Sequence, residues 1–423
     1  MKLKIISYSA TKGGAAKAAI NFLNLIVGHP NYVTSFLSVS GKLEHDVFIK
    51  ASKFSVFWHF VKMLISRSLT FFNRNNDVVK YSLNIFSSNF VLKELDLYSE
   101  KKEIIHINWI NNDTLSLVDI KRIFKINSKK VLLTLHDEWF YCATEHYADL
   151  NSKSYINGYG KNDGLINSII FNLKQKIDFD SVVISVPSQW MYDRARQSYL
   201  LRNADIHVLP NAIDTEIYDY SASVRSKRFE KLGVNSDSFI IGFGAVSGGA
   251  NPLKGFDLLI ESLKLLLESN NVINHIVLLT FGTDKIDKRV ESFGCKVINL
   301  GFIPDAAKMA MVYNLIDVMI VPSRAESFGQ VAAESLACQT PVIAFNHSGI
   351  QDIILHQRSG LLAEPFSIVS LTDNIKFMMN MSDQERMDYG ICGRQHVVSK
   401  FGKDVILKKY VQLLDYVKGA TND

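Results

Sequence analysis

The sequence predicts an α/β chain made of two doubly wound parallel-sheet domains that face a central cleft. Three observations predict it. Short apolar runs of strand length recur along the 423 residues, apolar-periodic helical stretches separate them, and the alternation restarts after a polar stretch near the middle. A run of strand, crossover helix and strand in the same direction is the pattern of a parallel sheet.

Lys2 to Ser7 reads as the first strand, Ala10 to Ala16 as a glycine turn, and Lys17 to Val27 as an apolar-periodic helix. Strands follow at Ile104 to Ile107, Lys130 to Leu135, Ser181 to Val186 and His207 to Leu209. The text turns polar from Asp214 to Ser226. A second series then runs through Phe239 to Phe243, Ile276 to Phe281, Val297 to Leu300, Val318 to Val321 and Val342 to Phe345. The expected domains are 1–208 and 209–403. The segment 404–423 is expected to form a helix, from Leu, Tyr and Val at helical spacing, that packs back on the body; the spacing does not say which domain it joins, a return to the first being one option.

Composition excludes more than it selects. A net charge of +5 from 47 basic and 42 acidic residues is too mixed for a nucleic-acid surface, so no nucleic acid is expected as a partner. Cys142, Cys295, Cys338 and Cys392 lie far apart, and no His-x-x-x-His pair occurs, so no metal is expected. Lys12 and Lys17 interrupt any leader-like apolar run, and no stretch reaches the roughly 20 apolar residues of a membrane span. These readings make the chain cytoplasmic. Between Asp46 and Asp77 there is no acid, while Lys50, Lys53, Lys62, Arg67 and Arg74 accompany Phe54, Phe57, Trp58, Val61, Leu64, Ile65, Leu69 and Phe72 on one helical stripe. Either 50–74 lies on the inner, anionic face of the plasma membrane, or it is a core helix with a solvated basic side.

The densest chemistry lies in Pro322 to Glu334. A strand, a tight loop and a helix from Gly329 to Cys338 would present backbone N–H groups of Ser327, Phe328 and Gly329 with the positive end of the helix dipole behind them, a site for diphosphate. Glu326 and Glu334 would repel that phosphate unless they faced hydroxyl-rich parts of the same ligand, so the loop suits a nucleotide-sugar. Two solvated glutamates at a helix start give the same spacing. Gly242 to Gly249 only loosely follows a dinucleotide fingerprint, but Asn251-Pro252-Leu253-Lys254-Gly255 places Lys254 at a helix entrance, where it can neutralise a leaving diphosphate or stand as an exposed loop lysine. Gly13 and Gly14 permit close approach of a ligand, as they would any turn. His136 and Asp137 end a strand, where His136 can bond a sugar hydroxyl or serve as a satisfied structural histidine.

Taken in order, Gly13-Gly14, His136-Asp137, Pro210-Asn211-Ala212-Ile213-Asp214, Lys254-Gly255-Phe256, Glu326-Ser327-Phe328-Gly329, Glu334 and Ser348-Gly349-Ile350 resemble glycosyltransferase family 4 over nearly the whole chain. The resemblance implies a GT-B fold and metal-independent, retaining transfer of a hexose or related sugar. The donor would be a nucleotide diphosphate sugar, UDP-sugar before GDP-sugar, and the acceptor a saccharide or lipid-linked saccharide in capsule or O-antigen assembly. It implies no cofactor beyond the donor itself. Catalytic roles fall to His136, Lys254 and Glu326. Gly13, Gly14, Ser247, Lys254, Gly282, Phe302, Ile303, Glu326, Ser327, Phe328, Gly329 and Glu334 would bind the donor, and His136, Asp137 and Asn211 would lie on the acceptor side. The family's arginine before Lys-Gly is absent, which shifts diphosphate binding to Lys254, the helix tip and Arg324. The alternatives are a nucleotide-sugar epimerase on the same fold and a non-catalytic nucleotide-sugar-binding module.

Overall fold

The computed structural model describes residues 1–11, 13–71, 80–95, 103–149, 152–245, 251–269, 275–284 and 295–419. The chain divides into two compact units, Met1–Ala212 with Ile406–Asp423, and Ile213–Val405. The expected change of domain at 208/209 sits a few residues before that division.

The first unit holds seven strands: β1 (Lys2–Ser9), β2 (Val33–Ser40), β3 (Phe48–Lys50), β4 (Glu103–Ile107), β5 (Val131–Thr134), β6 (Val183–Val186) and β7 (Asp205–Val208). They lie in the order β3-β2-β1-β4-β5-β6-β7, every pair parallel. The order reverses between β1 and β4, so the loops leaving their carboxyl ends diverge and open a crevice there. β1 and β5 are buried on both faces, as a parallel sheet covered by helices requires. β2 and β3 give little strand signal in the sequence. β2 reads Val-Thr-Ser-Phe-Leu-Ser-Val-Ser, whose serines hide its apolar run, and β3 has three residues.

The tail helix Lys403–Gly419 joins this first unit by burying Ile406, Tyr410, Leu413, Leu414 and Val417, which are spaced to form one helical face. Tyr410 seals the attachment. Its ring lies 4.9 Å from that of Phe22, and its hydroxyl hydrogen-bonds His106 Nδ1 at 2.7 Å. His106 Nε2 meets Thr134 Oγ1 at 2.8 Å, and Thr134 meets Ser185 at 2.6 Å, so one polar chain runs across β4, β5 and β6. Burial pushes the His106 imidazole down to about 3, which keeps it neutral inside the sheet.

The second unit holds β8 (Phe239–Gly244), β9 (Ile276–Phe281), β10 (Lys296–Asn299), β11 (Val318–Val321), β12 (Val342–Phe345) and β13 (Gly360–Ala363). Their order, β10-β9-β8-β11-β12-β13, is again parallel and reverses between β8 and β11. β13 was missed because Gly-Leu-Leu-Ala carries no β-branched residue. Gly242 and Gly244 have a packing role. A Cβ on Gly242 would sit 2.5 Å from Ile316, and one on Gly244 2.1 Å from Phe281. The fingerprint-like glycines therefore serve the sheet up to Gly244, while Ser247 and the glycines after it lie outside the described residues.

Replacing Tyr410 by Phe should lower unfolding free energy by about 1–3 kcal/mol, because His106 Nδ1 is left buried without its partner. Replacing it by Ala should cost about 3–5 kcal/mol, the range for emptying an aromatic site. Denaturant midpoints of the two variants check the ranking.

Candidate functional site

In the second unit the site grows from the carboxyl ends of β8 and β11, the two strands at the reversal point. After β8, Asn251 caps a single 3-10 turn, Pro252–Lys254, by accepting from Leu253 N at 3.1 Å. Gly255 ends the turn in the left-handed region at φ 65°. That conformation and the missing side chain are both required, since a Cβ here would lie 1.8 Å from the carbonyl oxygen of Pro322, in the loop after β11.

The two loops are then stapled. Arg324 N donates to Leu253 O at 2.8 Å, and Arg324 Nη1 donates to Pro252 O at 2.7 Å. The same guanidinium grips Asp257 with two bonds, 2.8 and 2.6 Å. Arg324, expected as a supplementary diphosphate cation, is thus committed to holding the loops together. The result is a short contact between functional groups. Lys254 Nζ stands 2.5 Å from Glu326 Oε1, and Ser323 Oγ donates to the same oxygen at 2.8 Å.

Beyond Glu326 the chain enters the helix Gln330–Ala337 through Gly329, at φ 108°, with no side chain capping the first amides and no acid in the first turn. Phe328 faces inward and packs edge-on against Phe401 at 5.4 Å, fixing the backbone of Ser327 to Gly329 from behind. Gly349 N donates to Glu326 O at 2.8 Å, which brings Ser348-Gly349-Ile350 beside the loop. Glu334 is buried, with Oε2 accepting from Tyr313 at 3.0 Å and Oε1 from Gln330 at 2.8 Å. Gly282 N donates to Gly301 O at 2.8 Å, and this pairing carries the neighbouring Phe302, exposed, and Ile303, half-buried.

The first unit repeats the theme. Gly13, at φ 92°, opens the helix Gly14–Ile26 without a side-chain cap, and a Cβ on Gly13 or Gly14 would meet nothing within 4 Å. His136 follows β5 and bonds Asn108 Oδ1 at 3.0 Å through Nε2, so Nε2 carries the hydrogen and Nδ1 keeps a lone pair. Burial drives His136 down to about 4, hence it is neutral near pH 7. Asp137 is buried and already bonded: Oδ2 accepts from Trp109 Nε1 at 2.8 Å and lies 2.5 Å from His146 Nδ1, while Oδ1 accepts from Trp139 N at 3.1 Å. Burial works to raise its pKa, but His146, Lys80 and Trp109 outweigh that and hold the carboxyl near 2. Asp137 therefore positions the loop rather than meeting an acceptor directly. Asn211 is also buried, its Oδ1 without a hydrogen-bond partner among the described residues.

Several residues that hold this loop carried no sequence signal. Ser82 Oγ meets His146 Nε2 at 2.8 Å, extending the chain from Asp137. The order Ser-His-Asp is that of a nucleophilic relay, but Ser82 is buried and the relay ends in a structural bond. Lys174, fully buried, donates to the carbonyls of Trp139, Cys142 and Ala143 and lies 3.7 Å from the Trp139 ring. Only the tertiary fold brings these groups together.

The segment around residue 60 resolves one alternative left open by the sequence. The helix Lys53–Phe71 buries His59, Met63 and Ser66 and turns Phe54, Phe57, Trp58, Phe60, Leu64, Ile65 and Leu69 outward, at exposures from 42% to 73%. It is not a core helix with a solvated basic side. Lys62 donates to Ser87 O at 2.9 Å, and Arg67 reaches Asn112 Oδ1 at 3.3 Å, so these two cations tie the helix to the body. Phe72 and Arg74 lie outside the described residues. No described helix is long and apolar enough to cross a membrane.

Comparison with known proteins fits this geometry. Residues 224–396 match the family described as glycosyl transferases group 1. CapM, a capsular polysaccharide biosynthesis glycosyltransferase of Staphylococcus aureus, is 26% identical over 197 residues, 46% of this chain and 50% of that protein. A D-inositol 3-phosphate glycosyltransferase of Xylanimonas cellulosilytica is 28% identical over 208 residues, 47% of this chain and 48% of that protein. The chain spans about half the length of the curated relatives it matches. Among solved structures, Anabaena HepE with UDP and glucose superposes with a TM-score of 0.65 at 16% identity, covering 98% of this chain and 99% of that one. A glycosyltransferase from Rickettsia africae gives 0.64 at 16% identity over 100% and 99%. The chain has the fold of these proteins, GT-B.

Gly255→Ala should separate the two loops, because its methyl group and the Pro322 carbonyl cannot share one place. We expect a loss of about 1–3 kcal/mol in stability, read as a lower denaturant midpoint. An unchanged midpoint would show that this contact does not hold the loops together.

Proposed function

We propose that the protein is a retaining glycosyltransferase that moves a hexose or related sugar from a nucleotide diphosphate sugar to a saccharide or lipid-linked saccharide. The observation that carries the reading is the Lys254–Glu326 pair, 2.5 Å apart at the reversal point of the second sheet beside an uncapped helix opening. A cation, a carboxylate and backbone amides in one place suit a ligand that is anionic at one end and rich in hydroxyls at the other. The match of residues 224–396 to glycosyl transferases group 1 supports the reaction class, and the HepE complex with UDP and glucose supports a UDP-sugar as donor. CapM supports a role in surface polysaccharide assembly.

Breaking the anomeric bond leaves positive charge on the sugar ring and negative charge on the departing diphosphate. Lys254 and the amides from Ser327 to Gly329 would stabilise the diphosphate, while Glu326 would accept sugar hydroxyls. Glu334 would take the ribose once Gln330 releases Oε1. Gly13 and Gly14 leave room for phosphate at the backbone, and the Nδ1 lone pair of His136 suits a sugar hydroxyl. The acceptor hydroxyl would attack from the face the leaving group departs, passing its proton to a diphosphate oxygen, and no metal is part of this reading. The exposed apolar face of Lys53–Phe71, beside exposed Lys50 and Lys53, favours an acceptor presented at the inner face of the plasma membrane.

The direct test is incubation with UDP- and GDP-sugars and saccharide acceptors, followed by mass spectrometry. Hydrolysis-free transfer supports the proposal, an isomerised donor supports an epimerase, and thermal stabilisation without turnover supports a binding module. Lys254→Ala and Glu326→Ala should each lower transfer about 10²- to 10³-fold with unfolding midpoints near the parent's; near-normal rates in both would defeat the assignment.

For the membrane contact, exchanging Phe54, Phe57 and Trp58 for Ser should reduce cosedimentation with anionic vesicles at least about tenfold, with little change in donor binding. A parent protein that ignores vesicles removes this part of the reading.

A further inference from the structure

The amino ends of β8, β9 and β11, the edge opposite Lys254 and Glu326, border a cavity of about 430 Å³. A smaller one of about 170 Å³ shares Arg228, Asp383 and Arg386 with it. β8 has six residues, so at about 3.3 Å per residue this edge is roughly 20 Å from the loops that hold the candidate site. A molecule here would not touch Lys254.

Charge around the cavity is not balanced pair by pair. Asp317, buried, takes Arg225 at 2.6 Å and the amide of Ile240 at 2.8 Å, leaving Arg228 at 3.6 Å as its distant second partner. Asp237 is paired with His275 at 2.8 Å, and Asp383 with Arg386. Among the described residues no carboxylate lies within ion-pair distance of Lys376. Lys376 therefore has no ion-pair partner among the described residues, and Arg228 has Asp317 only at 3.6 Å, with its Nε lacking a hydrogen-bond partner among the described residues. Burial lowers the Arg228 pKa, and Arg225 and Arg386 push the same way against the pull of Asp317 and Asp383. Nη1 donates to Arg225 O at 3.2 Å, so the unsatisfied part of the guanidinium is the buried Nε, a cost that an added acceptor would remove.

We propose that this cavity binds a small phosphomonoester, with the phosphate held by Arg228 and Lys376 and the body lying against Phe229, Phe239 and Met379. The volume suits a molecule of monosaccharide-phosphate size. Arginine forks match phosphate oxygens, and the Arg228 guanidinium is already set over the Phe229 ring at 4.1 Å, which restricts its rotation. Because the site borders the starts of the strands whose far ends carry the donor loops, occupancy would stabilise the second unit without competing for the donor.

The test uses the full chain saturated with UDP, so that the candidate donor site is filled, and titrates glucose 6-phosphate or inorganic phosphate while following thermal unfolding. A further rise in midpoint with either probe is expected. Arg228→Met should weaken that response about tenfold while keeping the response to UDP, and Lys376→Met, an alteration on a helix surface, should weaken it severalfold if Arg228→Met does not fold. No added stabilisation in the parent, or an equal response in the Lys376 variant and parent, overturns the proposal. The response to UDP alone reports on the donor reading, so the two can fail separately.

Discussion

The contact between Gly255 and the carbonyl of Pro322 is the constraint on which the second unit's site depends. Two strands at a reversal point diverge by nature, and their loops have no reason to meet at atomic distance. Here the absence of a side chain, together with a left-handed backbone at φ 65°, lets one loop rest on the other. Arg324 then fastens them through the Leu253 and Pro252 carbonyls and Asp257. The Lys254–Glu326 pair is a consequence of that closure, since neither strand alone fixes both groups.

The pair also neutralises the charge that the joined loops bring together. Lys254 and Glu326 are both partly shielded from solvent, and each is the other's counter-ion. The first unit solves the same problem differently. Its ionised Asp137 is surrounded by donors, its His136 is kept neutral by burial, and Lys174 is wrapped by three carbonyls. In the first unit the charges are fixed by partners within the fold itself.

The sequence carried the strand rhythm wherever strands were continuous apolar runs. Ile276–Phe281, Val318–Val321 and Val342–Phe345 match the expectation at both ends, whereas the serine-rich β2 and the short β3 and β13 did not stand out. It also carried the order of the site motifs, because Gly, Pro and Glu at loop positions are local signals. What it could not carry was partnership. Arg324 reads as a candidate phosphate cation until Asp257 is seen to hold it, and Trp109, His146 and Lys174 acquire a role only when separate loops fold together. The stripe on Lys53–Phe71 shows the same limit: periodicity identifies a face but not which way it points, and here eight large apolar residues among those described are exposed.

Glu326 and Glu334, alike on paper, end in opposite environments, and this difference bears on what each can do. Glu326 faces a cation and a hydroxyl at the loop surface, so a sugar can replace Ser323 as its donor while Lys254 turns to an incoming phosphate. Glu334 is buried and accepts from neutral donors, the Tyr313 hydroxyl and the Gln330 amide. The first carboxylate is thus tied to a cation and a hydroxyl at the loop surface, and the second to the neutral Tyr313 and Gln330 inside its own unit, so equal spacing along the chain gives the two glutamates unequal electrostatics.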